Sequence, residues 1–462
     1  MATNSVASSS AGTLDVPSLV AQLMVNERKP IDNLTTKVSS YEAKISSFGT
    51  IKGLVSGFQT TLQGINTSLQ GFSSNPSDAS VFSASDGSTE TSGIYSLNVT
   101  KLAQAHKLAA AGQTSDVSPI ATTGPSTVTF NVGTTNTDIT IAAGATLQDI
   151  RTAINAANMG VTATIVNDGS ATPYRLALSS NNTGVSNSIN SITIQAGGDS
   201  SINNLLAYNP STNAPAPAPA IPMSQIVAAQ DAAFTVNGIA ISKASNTVTD
   251  AIEGVTLTLK NTTTTPATLT VARDTAAVSK AVAGFVDAYN ALASQIKSRS
   301  AYGNATTPAG VLAGDGTLRF MQNQLRSIFN TAASGTLTRL TDVGVSFQAD
   351  GTLGLDSSKL DSAMANNFSD VTNLFSSATG YTTRLGTWAD SALSLSVGLI
   401  DTRTKNLNTS IQNYNDQISK LELRMTALQK QYTTTYTNLN MMLSSMDKTS
   451  AYLTQQFSTK SA

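Results

Sequence analysis

The sequence predicts an α+β multidomain protein: a long antiparallel coiled-coil leg built from both chain ends, a helical domain, and inserted β-rich head domains. Three patterns carry this prediction. Near the C-terminus, Ile400, Thr404, Leu407, Ile411, Tyr414, Ile418, Leu421, Met425, Leu428, Tyr432, Thr435, Leu439, Met442 and Met446 alternate steps of four and three. That is a heptad repeat with apolar a and d positions. Near the N-terminus, Ile31, Leu34, Val38, Tyr41, Ile45, Phe48, Ile51, Val55, Phe58, Leu62, Ile65 and Leu69 repeat the same spacing. Between these stripes the apolar residues alternate with period two, the mark of half-buried strands.

Taken in order, residues 1–13 are small and polar, a composition that favours disorder. Val16, Leu19, Val20 and Leu23 form a short stripe with Pro17 in its first turn. Pro30 is expected to interrupt this stripe and restart a long helix, with Asp32 near its positive end. The step Ile45–Phe48–Ile51 is three–three, a stammer that overwinds a coil locally. Gly49, Gly53, Gly57 and Gly64 each cost about 1 kcal/mol against alanine, so packing must hold that half of the helix.

Strands are then expected around Tyr95–Val99, Val128–Val132, Val161–Ile165 and Tyr174–Leu178. A capping box at Thr146–Asp149 starts a short helix carrying Leu147, Ile150 and Ile154. Residues 125–180 thus predict a compact β-β-α-β-β unit. Alternating alanine and proline from Asn213 to Pro222 reads as an extended linker. Strands return at Phe234–Val236, Val255–Leu259 and Leu269–Val271. Asp274 and Thr275 cap a helix with Val278, Val282, Phe285, Tyr289, Leu292 and Ile296; a second helix carries Leu318, Met321, Leu325, Ile328 and Phe329. The C-terminal seam contains no proline or glycine and spans roughly 70 Å as a helix. Its one narrow apolar stripe needs a helical partner, and the N-terminal stripe supplies it.

Composition excludes several roles. Charged residues are 12% of the chain, against roughly a quarter in ordinary domains, and the net charge is −1. No basic field therefore invites nucleic acid or an anionic membrane. There is no cysteine, and no run of eighteen apolar residues. The first residues lack the basic and apolar regions of a cleavable secretory signal. His106 is the only histidine, which excludes imidazole clusters; a solvated or capping role is expected for it. The carboxylates are scattered through turns, as at Asp315 and Asp350, and Met441, Met442 and Met446 read as seam filler. No catalytic constellation, metal site or cofactor site emerges. The expectation is a structural or binding protein, not an enzyme.

Four segments give this chain a resemblance: GTLDVPSLVAQLMVNERKPI, TLQDIRTAINAANMGVTATIVNDG, AFTVNGIAISKASNTVTDAIEGVTLTL, and the C-terminal heptads ending SAYLTQQF. VLAGDGTLRFMQNQLR and GVSFQADGTLGLDSSKLDSAM add to it. In their order they resemble the flagellar hook-associated protein 2 family, the filament caps. The resemblance implies a structural cap at the distal filament tip: a homo-oligomeric plate, commonly a pentamer, under which exported flagellin folds and inserts. It implies secretion through the flagellar export apparatus with its chaperone, no nucleic acid or membrane span, and host mucin as a ligand of some members.

The resemblance further divides the chain. Residues 1–42 would be the N-terminal leg, partly disordered, and 391–462 the C-terminal leg. Segments 43–79 and 275–390 would form the helical domain, 80–110 and 228–274 the inner head, and 111–227 the outer head. Assembly is expected to run through Ile31, Leu34, Val38, Tyr41, Ile45, Phe48, Leu407, Ile411, Tyr414, Ile418, Leu421, Met425, Leu428, Tyr432 and Leu439. Rival readings are a hook–filament junction or filament subunit, which shares helical ends, and a surface adhesin binding host mucin or glycan through the 111–227 head. An enzyme would have to use unpaired carboxylates.

Overall fold

Helix α1 (Val16–Ser68) runs unbroken through Pro30 in the computed structural model, which describes residues 14–87, 91–210 and 222–458. Pro30 thus does not end the first stripe. It removes one N–H from the helix ladder, but its exposed position leaves the Asn26 carbonyl open to water. The disorder expected for 1–13 and the linker expected up to residue 221 lie outside the described residues. From Val16 onward the N-terminal leg segment is helical.

The four α1 glycines face open space: a Cβ built at Gly49, Gly53, Gly57 or Gly64 meets nothing within 4 Å. The opposite face is the best packed part of the helix. Phe48, Ile51, Val55, Phe58 and Ile65 are wholly buried. Gly53→Ala and Gly57→Ala should therefore each stabilise the chain by about 1 kcal/mol. A denaturant midpoint that falls in both variants would mean that this face is covered.

The chain changes from helix to strand between Ser68 and Phe72, earlier than the boundary at residue 79 predicted from sequence. Residues Leu69–Asp274 form one compact unit; the residues up to Ser68, with Thr275 onward, form another. The Leu69–Asp274 unit holds two cores. In the first core, β1 (Phe72–Pro76), β2 (Phe82–Asp86) and β3 (Gly93–Lys101) are followed by β4 (Lys107–Ala110), which leaves for the second. The second core contains β5 (Ser126–Val132), β6 (Thr135–Ile141), α2 (Leu147–Ala156), β7 (Val161–Asn167), β8 (Tyr174–Ser180), β9 (Ile189–Ile194), α3 (Ser200–Leu206) and β10 (Met223–Val227). The chain then returns through β11 (Ala232–Val236), β12 (Ile239–Lys243), β13 (Thr247–Ile252), β14 (Val255–Leu259) and β15 (Ala267–Arg273).

The first core lies under a five-stranded antiparallel sheet, β1-β15-β3-β11-β12, and a three-stranded one, β13-β14-β2. Leu97 and Val99 of β3 point inward and face Ala267, Val236 and Phe234 across the ladder. Asn237 and Gly238 join β11 to β12, both at positive φ (51° and 83°), as a two-residue hairpin turn requires.

The second core corrects the β-β-α-β-β expectation. The five elements occur in that order, but they do not close on themselves. β5 and β6 join β9 in one sheet, whereas β7 and β8 join β4 and β10 in another. Strand β9 extends the β5 sheet, and β4 and β10 extend the β8 sheet, so both layers need strands from outside 125–180. The capping box does form: Thr146 Oγ1 accepts from the Asp149 N–H, and Asp149 accepts from the Thr146 N–H at 2.9 Å. Asn155 then ties α2 to β7, exchanging two hydrogen bonds with the Ala163 backbone at 2.7 and 3.0 Å. Asp199 also accepts from the Thr123 and Thr122 N–H groups while capping α3 through the Ser201 N–H; the Thr123 and Ser201 donors above all hold its carboxyl well below the usual range.

His106 is buried in this second core, not solvated. Its Nδ1 accepts from the Ile189 N–H at 3.1 Å, its Nε2 faces Gln225 Oε1 at 3.3 Å, and its ring lies 5.7 Å from that of Tyr208. Only a neutral ring can accept at Nδ1. Burial pushes its pKa below the ordinary value. The unfolded chain therefore binds a proton from about pH 6.5 downward while the folded one resists it. Stability is full above that pH and is lost as pH falls below it. Thermal melts at pH 7.5 and 5 should show the drop, and His106→Gln should flatten it. An unchanged slope in the variant would assign the drop to other groups.

The remaining unit adds α4 (Thr275–Ser300), α5 (Gly316–Asn330), the hairpin β16 (Val345–Phe347) and β17 (Leu353–Leu355), α6 (Ser357–Ser376), α7 (Tyr381–Leu393) and α8 (Leu399–Ser458). The stripe expected on α4, from Val278 to Ile296, is buried throughout. Aromatic rings fill the centre: Phe58 lies 5.5 Å from Phe285 and 6.4 Å from both Tyr289 and Trp388. Phe329 continues the cluster to Tyr289, Phe347 and Tyr381.

Candidate assembly surface

The candidate site is the antiparallel pair α1/α8. At 60 residues α8 is about 90 Å long. Tyr41 and Tyr414 pack at 5.7 Å between ring centroids, with Lys37 Nζ 5.6 Å from the Tyr414 ring and Lys44 Nζ 5.3 Å from the Tyr41 ring. The neighbouring Tyr41 hydroxyl raises the Tyr414 pKa above the usual phenol value. Farther out, the Leu14 N–H donates to Asn440 Oδ1 at 2.9 Å. Leu14 lies 27 residues before Tyr41, and Asn440 lies 26 after Tyr414, so one antiparallel register joins both contacts.

Coverage along the pair is graded. Ile31, Phe48 and Leu407 are buried; Leu34, Val38, Tyr41 and Ile45 on α1 are half-buried. On α8, Ile411, Tyr414, Ile418, Leu421, Met425, Leu428 and Tyr432 are half-buried too, because a two-helix pair covers one side of each stripe.

Leu439 departs from the heptad expectation. It is 40% exposed, and Met442 and Met446 are 62% and 61% exposed. After Tyr432 the covered row passes through Tyr436, Asn440 and Ser444, in steps of four. A straight α-helix drifts off a 3.5-residue repeat, and here the polar Asn440 is the residue with a partner, the Leu14 N–H just before α1. The methionines are therefore not seam filler. Beyond Asn440, α8 continues past the start of α1 at Val16, and Met441, Met446, Tyr452 and Leu453 stay exposed.

The base of the pair holds a feature the sequence pattern does not mark. Asp315, read there as a turn carboxylate, caps α5 through the Thr317 N–H at 2.9 Å. Its Oδ2 accepts from Arg403 Nε at 3.0 Å and Nη2 at 2.9 Å, and its side chain is only 3% exposed. Among the described residues, no group of three His, Asp or Glu side chains gathers in a metal-binding arrangement, and no helix is long and apolar enough to cross a membrane.

Two long chain-end helices, a helical base and an inserted β-rich unit define a structural assembly protein. The comparisons with known proteins make this specific. Residues 12–106 match the family described as Flagellar hook-associated protein 2 N-terminus, 229–448 its C-terminus, and 127–182 the Flagellin hook IN motif. The chain is 33% identical to the flagellar hook-associated protein 2 of Escherichia coli, over 97% of both chains. It is 32% identical to the B-type flagellar hook-associated protein 2 of Pseudomonas aeruginosa, over 95% of this chain and 94% of that one. Its fold is similar to the crystal structure of a three-domain fragment of the flagellar cap protein FliD from Escherichia coli. The TM-score is 0.66 at 34% identity, covering 78% of this chain and 99% of the fragment. The chain belongs to the flagellar hook-associated protein 2 family.

Proposed function

We propose that this chain caps the distal tip of a bacterial flagellar filament, as an oligomeric plate that promotes folding and insertion of flagellin. The observation that carries this is end-to-end similarity to hook-associated protein 2 relatives, together with a similar fold in a flagellar cap protein. An adhesin, a junction protein or a filament subunit is less favoured, because the relatives account for nearly the whole chain. The role is structural and not enzymatic. In this reading 1–42 and 391–462 serve as the leg, 43–68 with 275–390 as the helical domain, 69–106 with 228–274 as the inner head and 107–227 as the outer head. The two separate cores inside 69–274 support the last division.

The pentameric plate, passage through the flagellar export apparatus with a chaperone, and secretion to the filament tip belong to the same proposal. The fourteen seam residues from Ile31 to Tyr432 act in it as the leg's assembly face, and Leu439 lies outside that row. The half-covered stripe and the exposed Met441, Met446 and Leu453 gain cover when the leg docks on helical flagellin ends.

Complementation tests the proposal. In cells lacking their own cap protein, the chain should restore filaments where flagellin otherwise escapes into the medium. Leu421→Asp combined with Leu428→Asp places two carboxylates in the half-buried stripe, and flagellin should escape again. Filaments of normal length with that double variant would remove the leg from the mechanism.

A further inference from the structure

Four buried side-chain atoms without hydrogen-bond partners belong to three residues that line one cleft of about 450 Å³ between α5 and α7. The atoms are Gln324 Oε1, Arg384 Nε, Arg384 Nη2 and Trp388 Nε1. Trp388 is 4% exposed, and its indole N–H is shut off from bulk water. A desolvated donor left unpaired is costly, and several on one cleft point to a ligand that pairs them.

The donor set identifies the chemistry. Arg384 is held from behind: its Nη1 donates to the Thr331 carbonyl at 3.0 Å, and its guanidinium lies 4.7 Å from the centre of the Tyr381 ring. Those contacts hold one side of the fork and leave its Nε/Nη2 edge without a partner. That edge offers two parallel N–H groups at the spacing of two carboxylate oxygens. No carboxylate lines the cleft, and among the described residues none forms an ion pair with Arg384. Trp388, one helical turn on, adds a third donor that cannot accept. Turning the Gln324 amide over would present its NH₂ to the same oxygens.

We propose that the cleft between α5 and α7 is a carboxylate-binding site, with Arg384 gripping the anion side-on and Trp388 donating as a third partner. The site is independent of the capping proposal. The carboxylate comes either from an acidic side chain of a neighbouring protein or from a small free acid.

Trp388 is the only tryptophan in the chain, so its indole gives one ¹⁵N–H resonance that reports on this cleft alone. The full chain would be titrated with sodium acetate and, separately, with N-acetylglutamate N-methylamide, at ionic strength matched with sodium chloride. A saturable movement of the indole resonance is expected with the carboxylates and not with chloride. Saturation by the glutamate derivative at roughly tenfold lower concentration than acetate points to an acidic side chain; equal concentrations point to a small acid. Arg384→Lys keeps the charge but loses the fork, and should weaken binding about tenfold. An indole resonance unmoved by either probe, or moved equally by chloride, overturns the site. So does an Arg384→Lys variant that folds and titrates like the wild type. If that variant does not fold, the wild-type titration decides alone.

Discussion

Phe58→Ala is expected to lower stability by about 3–5 kcal/mol, because it empties the centre of the helical unit. The ring is wholly buried and lies where three helices meet: Phe285 and Tyr289 of α4 and Trp388 of α7 close on it against α1, which carries it. Truncation removes the transfer free energy of the ring and leaves a cavity that three rigid helices cannot collapse into. It also removes aromatic pairs worth about 0.5–1.5 kcal/mol beyond their area. Leu421→Ala, in the half-covered stripe of α8, should cost about 1 kcal/mol, since much of that side chain already meets water. Denaturant unfolding followed by Trp388 fluorescence measures both in the same units. A Phe58→Ala loss no greater than that of Leu421→Ala would contradict the picture of a leg weakly held along its length and firmly anchored at its base.

That contrast marks what the sequence could and could not disclose. Heptad spacing locates both terminal helices and their partnership, because it depends only on local periodicity. It does not disclose how much cover a partner gives: Ile51 and Leu421 look alike in the repeat, yet Ile51 is wholly buried and Leu421 only half. The shift of the covered row from Leu439 to Asn440 is similarly hidden. It depends on where α1 begins and on helical drift, both read from two helices together.

Strands of the inserted unit are legible one at a time, as at Leu97 and Val99, but their sheet membership is not. Period two places β5 and β8 correctly and says nothing about which neighbours complete their ladders. The Asn237–Gly238 pair between Val236 and Ile239 does carry the hairpin and with it β12, since both residues tolerate positive φ. His106 carries no such signal. A lone histidine between Ala105 and Lys107 gives no sign of its partners, and it becomes buried only when β9 and β10 close around it.

Asp315→Ala should cost about 2–4 kcal/mol, by two routes that a mutant cycle separates. The first is the helix cap: α5 loses the oxygen that accepts from its Thr317 N–H, worth about 1 kcal/mol. The second is the pair with Arg403, which grips the same carboxylate through Nε and Nη2. Removing one partner of a fully buried pair costs about 3–5 kcal/mol, but Arg403 is 33% exposed and can turn partly to water, which lowers that share. Arg403→Met should hurt less than Asp315→Ala, since the carboxylate keeps its backbone donor. The double variant should cost about 1–3 kcal/mol less than the sum of the two singles. Additive losses would mean that the carboxylate acts only as a cap. The consequence for the leg is local: Arg403 sits four residues before Leu407, the last buried position of the α8 seam, so this pair fixes where α8 leaves the helical base. Breaking it should loosen α8 at that point while the strands of Leu69–Asp274 keep their amide-exchange protection.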